Sequence, residues 1–186
     1  MAKVKAKDAI RISFGEILNE KPYHQITVKE IVMKAGVTRQ IFYYYFSSMI
    51  ELLEYFEDAT VDIILKEKKK MKKLSDAYEL FFRVMIEKSN LIKNLNYSES
   101  KGVLRDALER MAKHLYSRIL TDVFDKTRVS NRDREFLIGY YTYGFASILY
   151  EWVQKGMDPN YQYLVKKLSV LVDDSLPELV RRFEEL

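Results

Sequence analysis

The sequence predicts an all-α protein of about nine helices: an N-terminal three-helix helix-turn-helix domain followed by a C-terminal helical domain. Three observations predict it. The 186 residues hold only 6 Gly and 3 Pro, too few for a chain of short strands and tight turns. Apolar residues recur at i, i+3 and i+4 over most of the length. Residues 26–46, ITVKEIVMKAGVTRQIFYYYF, read as two short helices joined by one sharp turn.

The first helix is expected over residues 5–20, with Ile10, Phe14, Ile17 and Leu18 on one stripe, and residues 19–25 with Pro22 end it. Thr27 is placed to cap the next helix, and Glu30, three residues on, to complete a capping box. Gly36 supplies the positive φ of the turn and Val37 fills its corner. Thr38 caps the second helix of the motif, which is expected to run through Phe46. Phe42 and Phe46 (i, i+4) point inward, which leaves Thr38, Arg39, Gln40, Tyr43 and Tyr44 at or near the surface.

Ser48 with Glu51 reads as a second capping box, opening a helix over residues 48–73 that ends in a lysine run. Asp76 with Glu79 starts another helix, residues 90–100 read as polar and irregular, and helix resumes near Lys101 and continues to Phe124. Two long helices close the chain, at 132–155 and 160–183, with Gly156 as the C-cap between them. No linker marks a boundary. The expected domains are 1–47 and 48–186.

Charge is localised. Residues 1–46 hold eight Lys/Arg and four Asp/Glu, an excess equal to the whole chain's +4, so the remaining residues are neutral in sum. A positive field at the helix-turn-helix end suits phosphate. The lysine run at 66–73 lies roughly 30–35 Å further along the helix and reads better as a solvated helix end. The absence of cysteine excludes disulfides and zinc–thiolate sites. The first residues are basic but have no long apolar run or small-residue cleavage site, so they do not read as a signal peptide. No stretch approaches the roughly 18 apolar residues of a membrane span. A cytoplasmic location is therefore expected. His24 and His114 lack neighbours at ligand spacing, and no metal, cofactor or catalytic residue is expected.

Ile26-Thr27-Val28, Ile31, Ala35-Gly36-Val37-Thr38-Arg39, Phe42-Tyr43, Phe46 and Glu51-Leu52-Leu53 resemble the TetR family of bacterial transcription regulators. Tyr23-His24-Gln25-Ile26 with Arg39-Gln40 and Tyr45-Phe46 resembles the branch that includes regulators of dihydroxyacetone kinase. The resemblance implies double-stranded DNA as partner, with Thr27, Thr38, Arg39, Gln40, Tyr43, Tyr44 and Tyr45 as the contact set. The chemistry agrees: Arg and Gln pair bidentately with base edges, and Tyr hydroxyls reach phosphates. The sequence departs from the family's pattern at three positions. Tyr45 stands where histidine is usual, Ile41 replaces a common threonine, and Met49 replaces a lysine that meets a phosphate. Lys3, Lys5 and Lys7 are read as a basic arm that compensates, or as a solvated tail.

The last two helices are apolar over more than one stripe, a surplus that suggests a second subunit. A single helix-turn-helix reads half a site, so a homodimer on a palindromic operator is expected. The family implies a four-helix bundle between subunits, and the expected interface is Gly144, Ser147, Ile148, Trp152, Leu168, Leu171 and Val172. Tyr78, Phe81, Phe82, Met85, Met111, Tyr141 and Phe145, with Tyr97 and Tyr116 beside them, either line an apolar effector pocket or form plain core. The expected function is a repressor released by a small-molecule effector. The alternatives are an activator of the same fold and a helical module that binds no DNA. An enzyme is the least supported.

Overall fold

The computed structural model describes residues 2–68, 73, 75–97 and 102–185, without the side chains of 2–5, 68 and 122. The middle of the lysine run, 69–72, and Lys3 and Lys5 as side chains therefore lie outside the described residues. Among the described residues every regular element is a helix, as the sequence predicts. The chain divides into two compact units, Met1–Ala59 with Lys88–Ala107, and Thr60–Glu87 with Leu108–Leu186.

In the first unit, α1 spans Ala2–Glu20, α2 Val28–Ala35, α3 Arg39–Tyr45 and α6 Ser89–Leu95, together with the first half of α4, Met49–Lys68. The backbone of α1 is helical from Ala2, three residues before the expected start of the first helix. Ile10, Phe14 and Leu18 of α1, Ile31 of α2, Phe42 of α3 and Leu52 of α4 are fully buried and form one core. The Phe14 ring meets Phe56 edge-on at 5.7 Å. Gly15 permits this approach, because a Cβ there would lie 2.6 Å from the Phe56 ring.

The helix α6 corrects the expectation of an irregular stretch at 90–100. Leu91, Ile92 and Leu95 form a short apolar face that is buried, and α6 packs on α1. Asn94 Nδ2 donates to the Leu18 carbonyl at 2.8 Å, satisfying an acceptor near the end of α1.

The second unit contains α5 (Asp76–Glu87), most of α7 (Val103–Phe124), α8 (Asn131–Gln154), α9 (Gln162–Ser169) and α10 (Leu176–Phe183). After α8 the chain turns at Gly156, φ +92°, and the Met157 amide reaches back to the Trp152 carbonyl. The expected single helix at 160–183 is interrupted by a π turn, Val170–Asp174. Pro177 has no amide hydrogen to give to residue 173, and the Ser175 amide bonds five residues back, to Val170. The Asp173 carboxylate in this turn accepts a hydrogen bond from the Ser75 amide at 3.1 Å.

Candidate nucleic-acid interface

The reading helix is held by its caps. Thr27 sits in extended backbone and caps α2: its Oγ1 accepts from the Glu30 amide at 3.3 Å, and its own amide donates to Glu30 Oε2 at 3.0 Å. The Thr27 hydroxyl also donates to Glu30 Oε2, at 2.8 Å. Both donors of Thr27 are thus engaged within the protein. Lys21 donates to the other carboxylate oxygen. That bond, and then those from Thr27, hold the Glu30 carboxyl down at about 2.

Gly36 takes φ +65° at the end of α2, and the Val37 amide bonds to the Val32 carbonyl, which turns the chain into α3. Thr38 caps α3, its Oγ1 accepting from the Ile41 amide at 3.2 Å. A hydroxyl that accepts this bond still has its own hydrogen to donate. The helix ends one residue earlier than expected, since Phe46 is extended.

The side chains of α3 divide by face. Phe42 and Phe46 are 0% and 1% exposed, whereas Tyr43 and Tyr44 are 58% and 64% exposed. Thr38, Arg39, Gln40 and Ile41 are also exposed, and Tyr45 is half-buried with its ring edge-on to Tyr44. Thr38, Arg39, Gln40, Tyr43 and Tyr44 are therefore all open to solvent, as is Ile41. Thr27 is exposed at the start of the neighbouring helix.

The following corner differs in detail from the expected capping box. Ser48 Oγ accepts from the Glu51 amide, but the Glu51 carboxylate returns to Ser47, taking its amide and its hydroxyl at 2.6 and 2.7 Å. The bonds from Ser47 lower the Glu51 carboxyl. Spacing alone cannot separate two adjacent serines as acceptor and donor.

In the second unit, Tyr78, Phe81, Phe82, Met85, Tyr141 and Phe145 are buried, and Met111 is half-buried. Phe145 is the hub: Tyr78, Phe81 and Tyr116 lie 4.9, 5.4 and 5.9 Å from it, ring to ring. The Tyr78 and Tyr116 hydroxyls hydrogen-bond each other, and Tyr141 donates to the Leu171 carbonyl at 3.1 Å. Burial raises all three phenols, so they stay neutral. Tyr97 stands apart, in the first unit, with its ring beside His24. His114 pairs with Asp62 at 3.3 Å.

Clefts open among the described residues of the second unit. One of about 550 Å³ is lined by Val172, Asp173, Leu176 and Val180, and one of about 460 Å³ by Glu109, Lys113, Thr142 and Tyr143. None of the seven expected effector residues lines either cleft.

Of the expected interface residues, Gly144, Ser147 and Leu171 are exposed and Ile148 is half-buried. Trp152, Leu168 and Val172 are instead core side chains of their own unit. Trp152 meets Phe82 edge-on at 5.0 Å and donates from Nε1 to the Asp158 carbonyl. The outward stripe of α8 consists of Phe136, Tyr140 and Tyr143, each more than 60% exposed. Their spacing (i, i+4, i+7) was legible, but both stripes of α8 are aromatic, so sequence did not say which one faces out.

Among the described residues no helix is long and apolar enough to cross a membrane, and no group of three or more His, Asp or Glu could hold a metal ion.

Comparison with curated proteins finds no match. Among solved structures, the dihydroxyacetone kinase operon activator DhaS superposes with a TM-score of 0.59 at 19% identity, covering 96% of this chain and 98% of its own. A second, a transcriptional regulator (TerR/AcrR family) from Aquifex aeolicus VF5, gives 0.47 at 20% identity, over 97% of this chain and 96% of its own. The first of these shows a shared fold. The family described as bacterial regulatory proteins, tetR family, matches residues 16–56. The family described as transcriptional regulator C-terminal region (TetR_C_8) matches residues 72–174, more than half the chain. The protein belongs to the TetR family of transcriptional regulators.

Proposed function

We propose that the protein represses transcription as a homodimer on a palindromic operator and is released by a small-molecule effector. Residues 1–47 are the DNA-binding domain and 48–186 the effector-binding and dimerisation domain. The observation that carries the DNA reading is the exposure of Thr38, Arg39, Gln40, Tyr43 and Tyr44 on a helix anchored from behind by Phe42 and Phe46. Two such helices enter successive major grooves about 34–36 Å apart on one side of the duplex. Arg39 and Gln40 read base edges or meet phosphate, and Tyr43 and Tyr44 meet phosphate. Tyr45, half-buried, contributes at the edge. Thr27, with its donors turned to Glu30, acts through its position at the start of α2. The effector enters the second unit, where a preference of 1–3 kcal/mol for the non-DNA conformer corresponds to about 5–150-fold in operator affinity.

The test is selection of bound duplexes from a random pool, followed by anisotropy titrations on the selected site. Arg39→Ala and Tyr43→Ala each weaken binding more than tenfold with unchanged helix content. Full affinity in both variants would refute the assigned reading face. Affinity that does not fall as salt rises would point to a helical module without a DNA role.

The fold likeness to an operon activator favours a second reading, activation of transcription by the same DNA contact. A reporter behind the selected site separates the two: deleting the gene raises expression from a repressed promoter and lowers it from an activated one.

A further inference from the structure

We propose that Lys7 is a DNA-phosphate contact, held ready at the end of the reading helix by two aromatic rings. The inference rests on the DNA-binding reading above and adds a residue to it. Lys7 is on α1, far in sequence from α3. Its ammonium nevertheless lies 3.9 Å from the Tyr55 ring centroid on α4 and 5.5 Å from that of Phe46, the residue that ends α3. The two rings are themselves in contact, 5.6 Å apart. The charge therefore sits where the reading helix passes into α4.

The way it is held leaves it available. A ring face attracts a cation through its quadrupole without neutralising it, whereas a carboxylate partner would cancel the charge. Among the described residues of this unit, the ion pairs Arg11–Asp8, Lys21–Glu30 and Lys34 with Glu16 and Glu20 do not use Lys7. Glu51 also feels the Lys7 charge, but its Oε2 is taken up by the amide and hydroxyl of Ser47. Lys7 is half-buried, and it is the ammonium itself that rests on the two rings, so the charged end is held in place without being sealed off from water. Such a lysine loses less side-chain freedom on meeting a phosphate than one on a free stem. It also supplies a cation at a corner where α4 begins with Met49, which has none.

The experiment compares Lys7→Met, Lys7→Arg and the parent on the selected duplex and on a random duplex, over a salt series. Methionine keeps an unbranched apolar stem against Phe46 and Tyr55 and removes the charge. Lys7→Met is expected to weaken both duplexes about equally, roughly five- to tenfold, and to lower the salt slope by about one per subunit. Lys7→Arg stays within about twofold of the parent. Adding Met49→Lys to Lys7→Met, which returns a cation to the same corner, restores the slope. Lys7→Gln replaces Lys7→Met if circular dichroism shows the latter misfolded. A charge-free variant with the parent's salt slope overturns the assignment, even if its affinity falls, because a purely structural lysine leaves the slope unchanged. A parent protein with no salt-dependent DNA binding would overturn the DNA reading itself, so the two failures are distinguishable.

Discussion

The Glu30 carboxylate takes both hydrogen-bond donors of Thr27 on one oxygen and Lys21 on the other, tying the chain before α2 to its first turn. The arrangement makes the helix-turn-helix acid-sensitive. The Glu30 carboxyl stands at about 2, below its ordinary 4.5. A carboxyl lowered in the folded state stabilises the fold above its ordinary value, and that stabilisation is lost as pH falls through the folded value. The window is therefore from about pH 4.5 down to about 2. Glu30→Gln should flatten the fall of the thermal midpoint in this window, with the two proteins converging at its acid end. Glu178, also held at about 2, titrates in both proteins and cancels in the difference. Parallel pH curves for the parent and Glu30→Gln would remove the proposed linkage.

Gly15 and Gly36 are required for different reasons, and substitution separates them. At Gly36 a Cβ would meet nothing within 4 Å, so the cost of Gly36→Ala is backbone strain at φ +65°, about 1 kcal/mol. At Gly15 the backbone is ordinary helix, and a Cβ would strike the Phe56 ring. Gly15→Ala is therefore expected to cost about 1–3 kcal/mol through overpacking. Phe56→Leu should recover part of that loss in Gly15→Ala and none in Gly36→Ala. Urea midpoints of the four variants decide the matter. Equal responses of both glycine variants to Phe56→Leu would contradict the separation.

The features legible in the sequence are those fixed by near neighbours. The Thr27–Glu30 box, the turn at Gly36 and the inward pair Phe42 and Phe46 each depend on residues three or four apart, so spacing identifies them. The missed features depend on distant partners. The α6 helix is a single apolar face among Asn and Lys residues, and it is buried by α1, which comes some seventy residues earlier in the chain. The π turn near Asp173 accompanies a bond from the Ser75 amide, which no local pattern reveals. Trp152 and Tyr140 are both aromatic residues of α8. Only the packed chain separates the one against Phe82 from the one left in water.

That exposed stripe is where the proposed dimer is most open to test. Phe136, Tyr140 and Tyr143 present three large rings on one side of α8, more apolar surface than an isolated subunit gains from exposing. Light scattering should give twice the chain's 22.1 kDa. Tyr140→Glu places a charge in the middle of the stripe and should yield monomers at micromolar concentration without loss of helix, since Tyr140 is 61% exposed within the chain. Operator affinity should fall with it, because one reading head meets only half a site. A dimeric Tyr140→Glu protein would place the interface elsewhere.

The Tyr78–Tyr116 pair gives a measurement internal to the aromatic core. Both side chains are about 1% exposed, and each hydroxyl is the other's hydrogen-bond partner. Removing one hydroxyl strands the other in an apolar setting, with a penalty of about 1–3 kcal/mol, whereas removing both takes away the polar pair altogether. Tyr78→Phe and Tyr116→Phe should thus each destabilise the protein, and the double variant should be less destabilised than the sum of the two. The coupling is expected at about 1 kcal/mol or more in a urea double-mutant cycle. Strictly additive losses would mean that the hydroxyls find other partners, and that the centre of this core is wetter than its packing implies.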